Sequence, residues 1–234
     1  MIKRFTMNPR GRDLIIGDIH GHFDKAMASL KAVGFNPMFD RVFGVGDLVD
    51  RGPQSEDVLD WLNKPWFHSV RGNHEDMCIE SDPCMHLSNG GAWFLCMPEL
   101  CKADYRLAFQ ELPLAIELET EQGLVGLVHA DEGGAGWERL ASLLREPEQH
   151  PGVVANCLWG RTRILSMDDS EVSGVRAVVL GHTPVERITS LGNAIYLDTG
   201  AWKPENKDKP FAILDAATLS QAYDPRADFW GETR

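Results

Sequence analysis

Leu14-Ile15-Ile16-Gly17-Asp18-Ile19-His20-Gly21 sets three consecutive apolar residues against a turn carrying a carboxylate and an imidazole. Successive side chains of a strand point to opposite faces, so an unbroken apolar run suits a strand covered on both sides. The pattern recurs. Val42-Phe43-Gly44-Val45 runs into Gly46-Asp47-Leu48-Val49-Asp50-Arg51-Gly52, and Phe67-His68-Ser69-Val70 into Arg71-Gly72-Asn73-His74-Glu75. Later, 124–128 leads to His129-Ala130-Asp131, 175–180 to Gly181-His182-Thr183, and 194–197 to Asp198-Thr199, with 211–214 as a last strand. Amphipathic stretches of helical length at 24–33 and 55–62 separate the early strands. Strand–helix–strand units of this spacing predict right-handed crossovers and an α/β fold.

A chain of 234 residues is long enough to bury a sizeable core without staples. No composition shift marks a boundary, so one domain is expected over 1–234, with a core of about 13–215. Residues 76–115 read as a helical insertion, with Leu87, Trp93, Phe94 and Leu95 as packing residues. Residues 132–173, punctuated by Gly, Pro and acids, read as a surface excursion, and the polar tail holds only Phe229-Trp230 as apolar anchors. Thirty-five acidic against 23 basic residues give a net charge of −12, which opposes a nucleic-acid-coating role because phosphate binding needs a basic face. No apolar run reaches the roughly 18–20 residues of a membrane span, and the basic N-terminus lacks a signal-peptide core. Five cysteines without a C-x-x-C pair read as reduced thiols, and the intervals among Cys78, Cys84, Cys96 and Cys101 do not suit a zinc ribbon. A cytoplasmic protein without membrane or nucleic-acid partners is the expectation.

The chemistry lies where the strands end, the place where open α/β sheets bind ligands. Asp18 and His20 are two apart and face the same way in an extended segment. Together they suit one cation, and Asp47 can bridge it to a second. Asn73 adds a neutral amide oxygen, and His129 and His182 add imidazoles. Oxygen and nitrogen donors without thiolate suit Mn²⁺, Fe or Zn²⁺. A single Gly-Asp is usually a turn, and His22, His68, His86 and His150, outside the pattern, read as packed or solvated side chains. Five such motifs in order, each after a strand, point to a site.

These motifs resemble those of the calcineurin-like metallophosphoesterases, in particular the phosphoprotein phosphatase branch (GDxHG, GDxxDRG, GNHE, then H and GH). The resemblance runs from about Asp13 to Thr199. It is closest to the bacterial and phage enzymes typified by phage lambda protein phosphatase, with Asn89-Gly90-Gly91-Ala92-Trp93-Phe94 and Glu111-Leu112-Pro113-Leu114 also in keeping. It implies an αββα sandwich with a dinuclear metal site at the carboxyl ends of the strands. Asp18, His20 and Asp47 would hold the first ion, and Asp47, Asn73, His129 and His182 the second, most simply two Mn²⁺. A hydroxide bridging the ions would attack phosphorus in line, His74 would act as general acid, and Asp50 would orient His74. Arg51 and Arg71 match phosphate clamps. For a third clamp, ungapped matching of Leu158-Trp159-Gly160-Arg161-Thr162-Arg163 favours Arg163, with Arg161 as the alternative. Glu75 reads as structural support.

The function so implied is a metal-dependent serine/threonine protein phosphatase acting on phosphorylated proteins or peptides, with phosphotyrosine as a further substrate class. Two alternatives are a symmetrical dinucleoside-polyphosphate hydrolase of the same superfamily and a phosphatase of small molecules. The first commonly replaces the Asp of DRG and carries GNHD, so Asp50 and Glu75 weigh against it. From another class, a metal-binding adaptor without catalysis would be expected to have lost Asp50, His74 or a ligand, and all are present.

Overall fold

Consecutive apolar residues do form strands in the computed structural model, which describes residues 1–222. Strands β1 (Ile2–Phe5), β2 (Asp13–Ile16), β3 (Arg41–Gly44), β4 (Phe67–Ser69), β5 (Ala115–Thr120) and β6 (Gly123–Val128) come first. Strands β7 (Ala177–Leu180), β8 (Thr189–Leu191), β9 (Ala194–Tyr196), β10 (Ile213–Asp215) and β11 (Ser220–Gln221) follow. They make two sheets, ordered β1-β5-β6-β7-β9-β8 and β11-β10-β2-β3-β4. In the second, β2, β3 and β4 are parallel neighbours. In the first, β6, β7 and β9 are parallel neighbours.

The period of two along each strand divides the core into layers. Ile15 and Phe43 from one sheet meet Val125, Leu127 and Val179 from the other, filling the space between the sheets. Leu14, Ile16 and Val42 point the other way, onto helices α1 (Phe23–Ala32), α2 (Val58–Leu62) and α6 (Glu99–Gln110) through Leu30, Trp61 and Phe109. Val128, Val178 and Leu180 pack outward on α7 (Trp137–Leu143) and α8 (Pro151–Trp159) through Trp137, Leu140 and Leu158. The layering is therefore helix, sheet, sheet, helix, as the resemblance implied.

Several expectations need correction. Residues 132–173 are no mere surface excursion: α7, α8 and α9 (Thr162–Ser166) lie there, and the first two form the outer helical layer. The insertion holds α3 (Asn73–Ile79), α4 (Pro83–Ser88), α5 (Ala92–Leu95) and α6, but ends before β5 begins at Ala115. Leu87 is 56% exposed and packs little, whereas Phe94 is buried. Phe229-Trp230 lies outside the described residues. Among the described residues, no helix is long and apolar enough to cross a membrane.

Candidate active site

The loops after β2, β3, β4, β6 and β7 converge, bringing Asp18, His20, Asp47, Asn73, His129 and His182 together as buried groups. Asp47 is central. Its carboxylate lies 3.5 Å from His20 Nε2 and 3.3 Å from His129 Nε2, and it belongs both to a set with His20 and His74 and to a set with His129 and His182. A carboxylate shared by two groups of donors is what a bridging ligand requires. Asn73 Oδ1 lies 2.9 Å from His129 Nε2 and 2.8 Å from His182 Nδ1, which completes the second group. Backbone carbonyls fix two tautomers. His20 Nδ1 donates to Val49 O at 2.8 Å and His129 Nδ1 to Val45 O at 2.7 Å, so both turn a bare Nε2 inward.

Dense packing of this kind forces unusual backbone. His20, Asp47, Asp50, Arg51 and His182 all have positive φ, between 45° and 69°. Non-glycine residues there are uncommon, and strain of this sort concentrates at functional sites. Two glycines admit the close approach of carboxylates: a Cβ on Gly72 would collide with Asp47 Oδ1, and one on Gly181 with Asp18 Oδ1. Glu75 accepts from the backbone N–H groups of Gly72 at 2.8 Å, Asp47 at 3.0 Å and Leu48 at 2.8 Å. It thus ties the loop after β3 to the start of α3. Burial and the nearby Asp47 push its pKa up to about 7.

The donor set fits divalent cations on two observations. Asp18 Oδ1 and His182 Nε2 are buried with no hydrogen-bond partner, an arrangement costly for atoms left idle. The carboxylates also crowd one another: burial, then Asp198 and Asp47, raises Asp18 well above the ordinary range, and burial lifts Asp198 to about 6. Burial keeps His20 well below its ordinary value and brings His182 down to about 3, so both imidazoles are neutral donors.

Beside the donors stands a buried His–Asp pair. His74 Nδ1 donates to Asp50 Oδ2 at 2.6 Å, with both side chains buried. Its Nε2 faces the donors, 3.7 Å from Asp47 Oδ2. Burial works against the charged imidazole, yet Asp47 and Asp50 outweigh it and raise the pKa of His74. Asp50 has two further partners that the motif reading did not identify. Trp93 Nε1 donates to its Oδ1 at 2.6 Å, and His86 Nε2 lies 3.2 and 3.1 Å from its two oxygens. His86, read as a bland side chain, is 1% exposed and stands behind the pair. Burial alone would raise Asp50, but the hydrogen bonds from His74 and His86 hold it below its ordinary value. Trp93 lies in the Asn89-Gly90-Gly91-Ala92-Trp93 segment that carried the resemblance, so its signal was present. His86 gave none.

The arginines divide. Arg51 is exposed at the mouth, its Nη1 2.5 Å from His20 Nε2 and its guanidinium 4.3 Å from the Trp202 ring centre. Arg71 is not brought to the donors. It donates to the carbonyls of Phe109 at 3.1 Å and Gln110 at 2.8 Å, capping the C-terminal end of α6. Arg163 does not suit a phosphate clamp either. Its guanidinium donates to Glu132 Oε1 at 2.6 Å and to the carbonyls of Asp168 and Ser170 at 2.9 and 2.8 Å, and it is 4% exposed. Arg161 is exposed, and its charge helps lower both His129 and His182, after the larger effect of burial.

Clustered imidazoles, carboxylates and an amide, with an acid pair alongside, define a metal-dependent hydrolase. The calcineurin-like phosphoesterase family matches residues 12–190, a span that includes all six donors, and the chain belongs to that family of metallophosphoesterases. Serine/threonine-protein phosphatase 2 of Escherichia coli (strain K12) is 34% identical over 197 residues, covering 80% of this chain and 86% of the relative. A symmetrical bis(5'-nucleosyl)-tetraphosphatase of Serratia proteamaculans (strain 568) is 44% identical over 63 residues, covering 26% of this chain and 22% of the relative. The solved structure of a protein serine/threonine phosphatase from Saccharomyces cerevisiae shares the fold, with a TM-score of 0.56 at 17% identity, over 83% of this chain and 70% of that one.

Proposed function

We propose that this phosphoesterase is a serine/threonine protein phosphatase, hydrolysing phosphoserine and phosphothreonine in proteins or peptides, with phosphotyrosine a further substrate class. The observation that carries the reading is the buried His74–Asp50 pair, 2.6 Å long, set beside the metal donors. A serine alkoxide is a poor leaving group and needs a proton as its bond to phosphorus breaks. The Asp50 contact holds Nδ1, so Nε2 is the nitrogen turned toward the donors. The Asp47 and Asp50 carboxylates raise the pKa of His74 and so favour its protonated form. Arg51 and Arg161 flank the donors, where guanidinium forks bind equatorial phosphoryl oxygens.

Asp18, His20 and Asp47 would hold one divalent ion, and Asp47, Asn73, His129 and His182 the other, with Mn²⁺ favoured by the mixed donor set. When bound, such ions supply Lewis acidity and acidify a nucleophilic water. Five free cysteines accord with work in the cytoplasm, and a charge of −12 accords with protein rather than nucleic-acid partners.

A second reading, hydrolysis of dinucleoside polyphosphates, is favoured by the 63-residue match at 44% identity. The rates on a phosphoserine peptide and on diadenosine tetraphosphate, both with Mn²⁺, separate the two. A higher kcat/KM on the peptide is expected; the reverse order would give the second reading precedence.

A further inference from the structure

Beside Arg51 opens a cleft of about 490 Å³ whose charged lining is entirely basic, Lys25, Arg51, Lys203 and Lys207, with the imidazole of His22 beside them. No carboxylate lines it, although acidic residues outnumber basic ones 35 to 23 in the chain. The basic lining therefore runs against the composition and sits next to the catalytic donors.

Trp202 partitions the two spaces. Its ring is 4.6 Å from the His20 ring, and its Nε1 donates to Asp198 at 3.2 Å, which fixes the indole. Two cations lie over the same ring, Arg51 at 4.3 Å and Lys203 at 5.6 Å. Lys25 holds the wall in place, donating to the carbonyls of Ala201 at 2.5 Å and Asn206 at 2.9 Å, with Asp208 acting on it from outside the lining. Arg51, Lys203 and Lys207 remain to meet a ligand. Arg51 reaches the catalytic donors and the cleft alike, so an anion in the cleft lies next to the phosphoryl group being cleaved.

We infer that this cleft is an anion subsite, taking a second negative group of the substrate, a carboxylate or another phosphate, one or two residues from the scissile phosphoserine. The reading rests on the phosphopeptide function above. Consecutive Cα atoms are about 3.8 Å apart, so only a near neighbour in sequence can reach across Trp202. Charge pairing at so open a site is moderate and sensitive to salt.

Four substrates test this: phosphoserine peptides flanked by alanine, by glutamate or by a second phosphoserine, and para-nitrophenyl phosphate. The metal-loaded full chain is compared with the Lys203→Ala/Lys207→Ala variant. The wild type should prefer the glutamate or diphosphorylated peptide over the alanine peptide by about three- to thirtyfold in kcat/KM, mostly through KM. That ratio should shrink toward one in 0.5 M salt (about a threefold higher ionic strength than physiological) and in the double variant. Comparison of glutamate with phosphoserine tells carboxylate from phosphate. Equal kcat/KM on neutral and acidic peptides, or a preference retained by the double variant, would overturn the subsite and leave the phosphatase reading intact. Hydrolysis of para-nitrophenyl phosphate alone would instead defeat the protein-phosphatase reading. The peptides would then serve as inhibitors of that reaction, and equal inhibition by neutral and acidic forms would overturn the subsite on its own.

Discussion

Arg161 and Arg163 stand two positions apart and meet opposite surroundings. Arg163 neutralises a buried Glu132, so Arg163→Ala leaves an unpaired charge inside and is expected to cost about 3–5 kcal/mol of stability. Arg161→Ala should leave stability within about 0.5 kcal/mol and lower kcat/KM by about 10–150-fold, the worth of one charge-assisted contact. Denaturation curves and rates on the two variants decide it, and the opposite assignment of damage would restore Arg163 as the clamp. A second comparison concerns the acid. His74→Asn should lose about 10²–10⁴-fold on a phosphoserine peptide and less on para-nitrophenyl phosphate, whose leaving group is stable without a proton. His86→Leu should show the same dependence on leaving group with a loss of up to about 10–150-fold, since it removes one hydrogen bond to the Asp50 carboxylate. Equal losses on both substrates would mean that these residues position the phosphate and move no proton. The six candidate donors that the fold brings together could be read from sequence because each follows a strand in a short motif. His86 could not, since it reaches Asp50 from α4, through a contact that only the folding of the insertion creates. Spacing alone could not separate Arg163 from Arg161, because Arg163 lies on the short helix α9 with its side chain buried against Glu132, whereas Arg161, just before that helix, is exposed.

Strand β4 carries a different lesson in His68, whose ring lies 4.5 Å from Phe5 and 5.3 Å from Phe43. Burial, then Lys3 and Arg41, lowers its pKa to about 4. The unfolded chain binds this proton below about pH 6.5 and the folded chain does not, so stability falls as pH drops from about 6.5 toward 4. In His68→Leu, the slope of Tm against pH over that window should be shallower than in the wild type. Every other histidine is common to both proteins, so parallel curves would show that His68 titrates normally. The strands that the sequence revealed are those with unbroken apolar runs, β2, β3, β6 and β7 among them. Those it hid are β1 and β5, which pair in parallel at the edge of the first sheet, with Lys3 opposite Ile116 and Arg4 opposite Glu117. Ile-Lys-Arg-Phe is an edge strand whose consecutive Lys3 and Arg4 are exposed on opposite faces, and Ala-Ile-Glu-Leu-Glu-Thr alternates buried Ile116 and Leu118 with half-buried Glu117 and Glu119, so neither shows an unbroken apolar run. The outer helices α7 and α8 were hidden by the Gly and Pro residues around them, although Trp137 and Leu158 are buried there.

Across the whole molecule, two sheets bring their parallel strand ends to one edge, and carboxylates that repel one another meet there. Asp18, Asp47 and Asp198 each feel at least one of the others, so cation binding should stabilise the fold. A ligand at a hundred times its Kd adds about 2.7 kcal/mol. Mn²⁺ should therefore raise the Tm of chelated protein, and Asp47→Asn, which weakens both donor groups, should blunt the rise; a Tm indifferent to Mn²⁺ would mean that the donors do not hold it. The most direct measurement pairs metal content with rate on a single sample. Purified protein is stripped with chelator, assayed on a phosphoserine peptide and on para-nitrophenyl phosphate, and assayed again after Mn²⁺ or Mg²⁺ is added, with bound metal counted per chain. The expected result is no hydrolysis when stripped, and recovery with Mn²⁺ above that with Mg²⁺, which prefers all-oxygen sites, as binding approaches two ions per chain. Full hydrolysis by protein that holds no metal would contradict it.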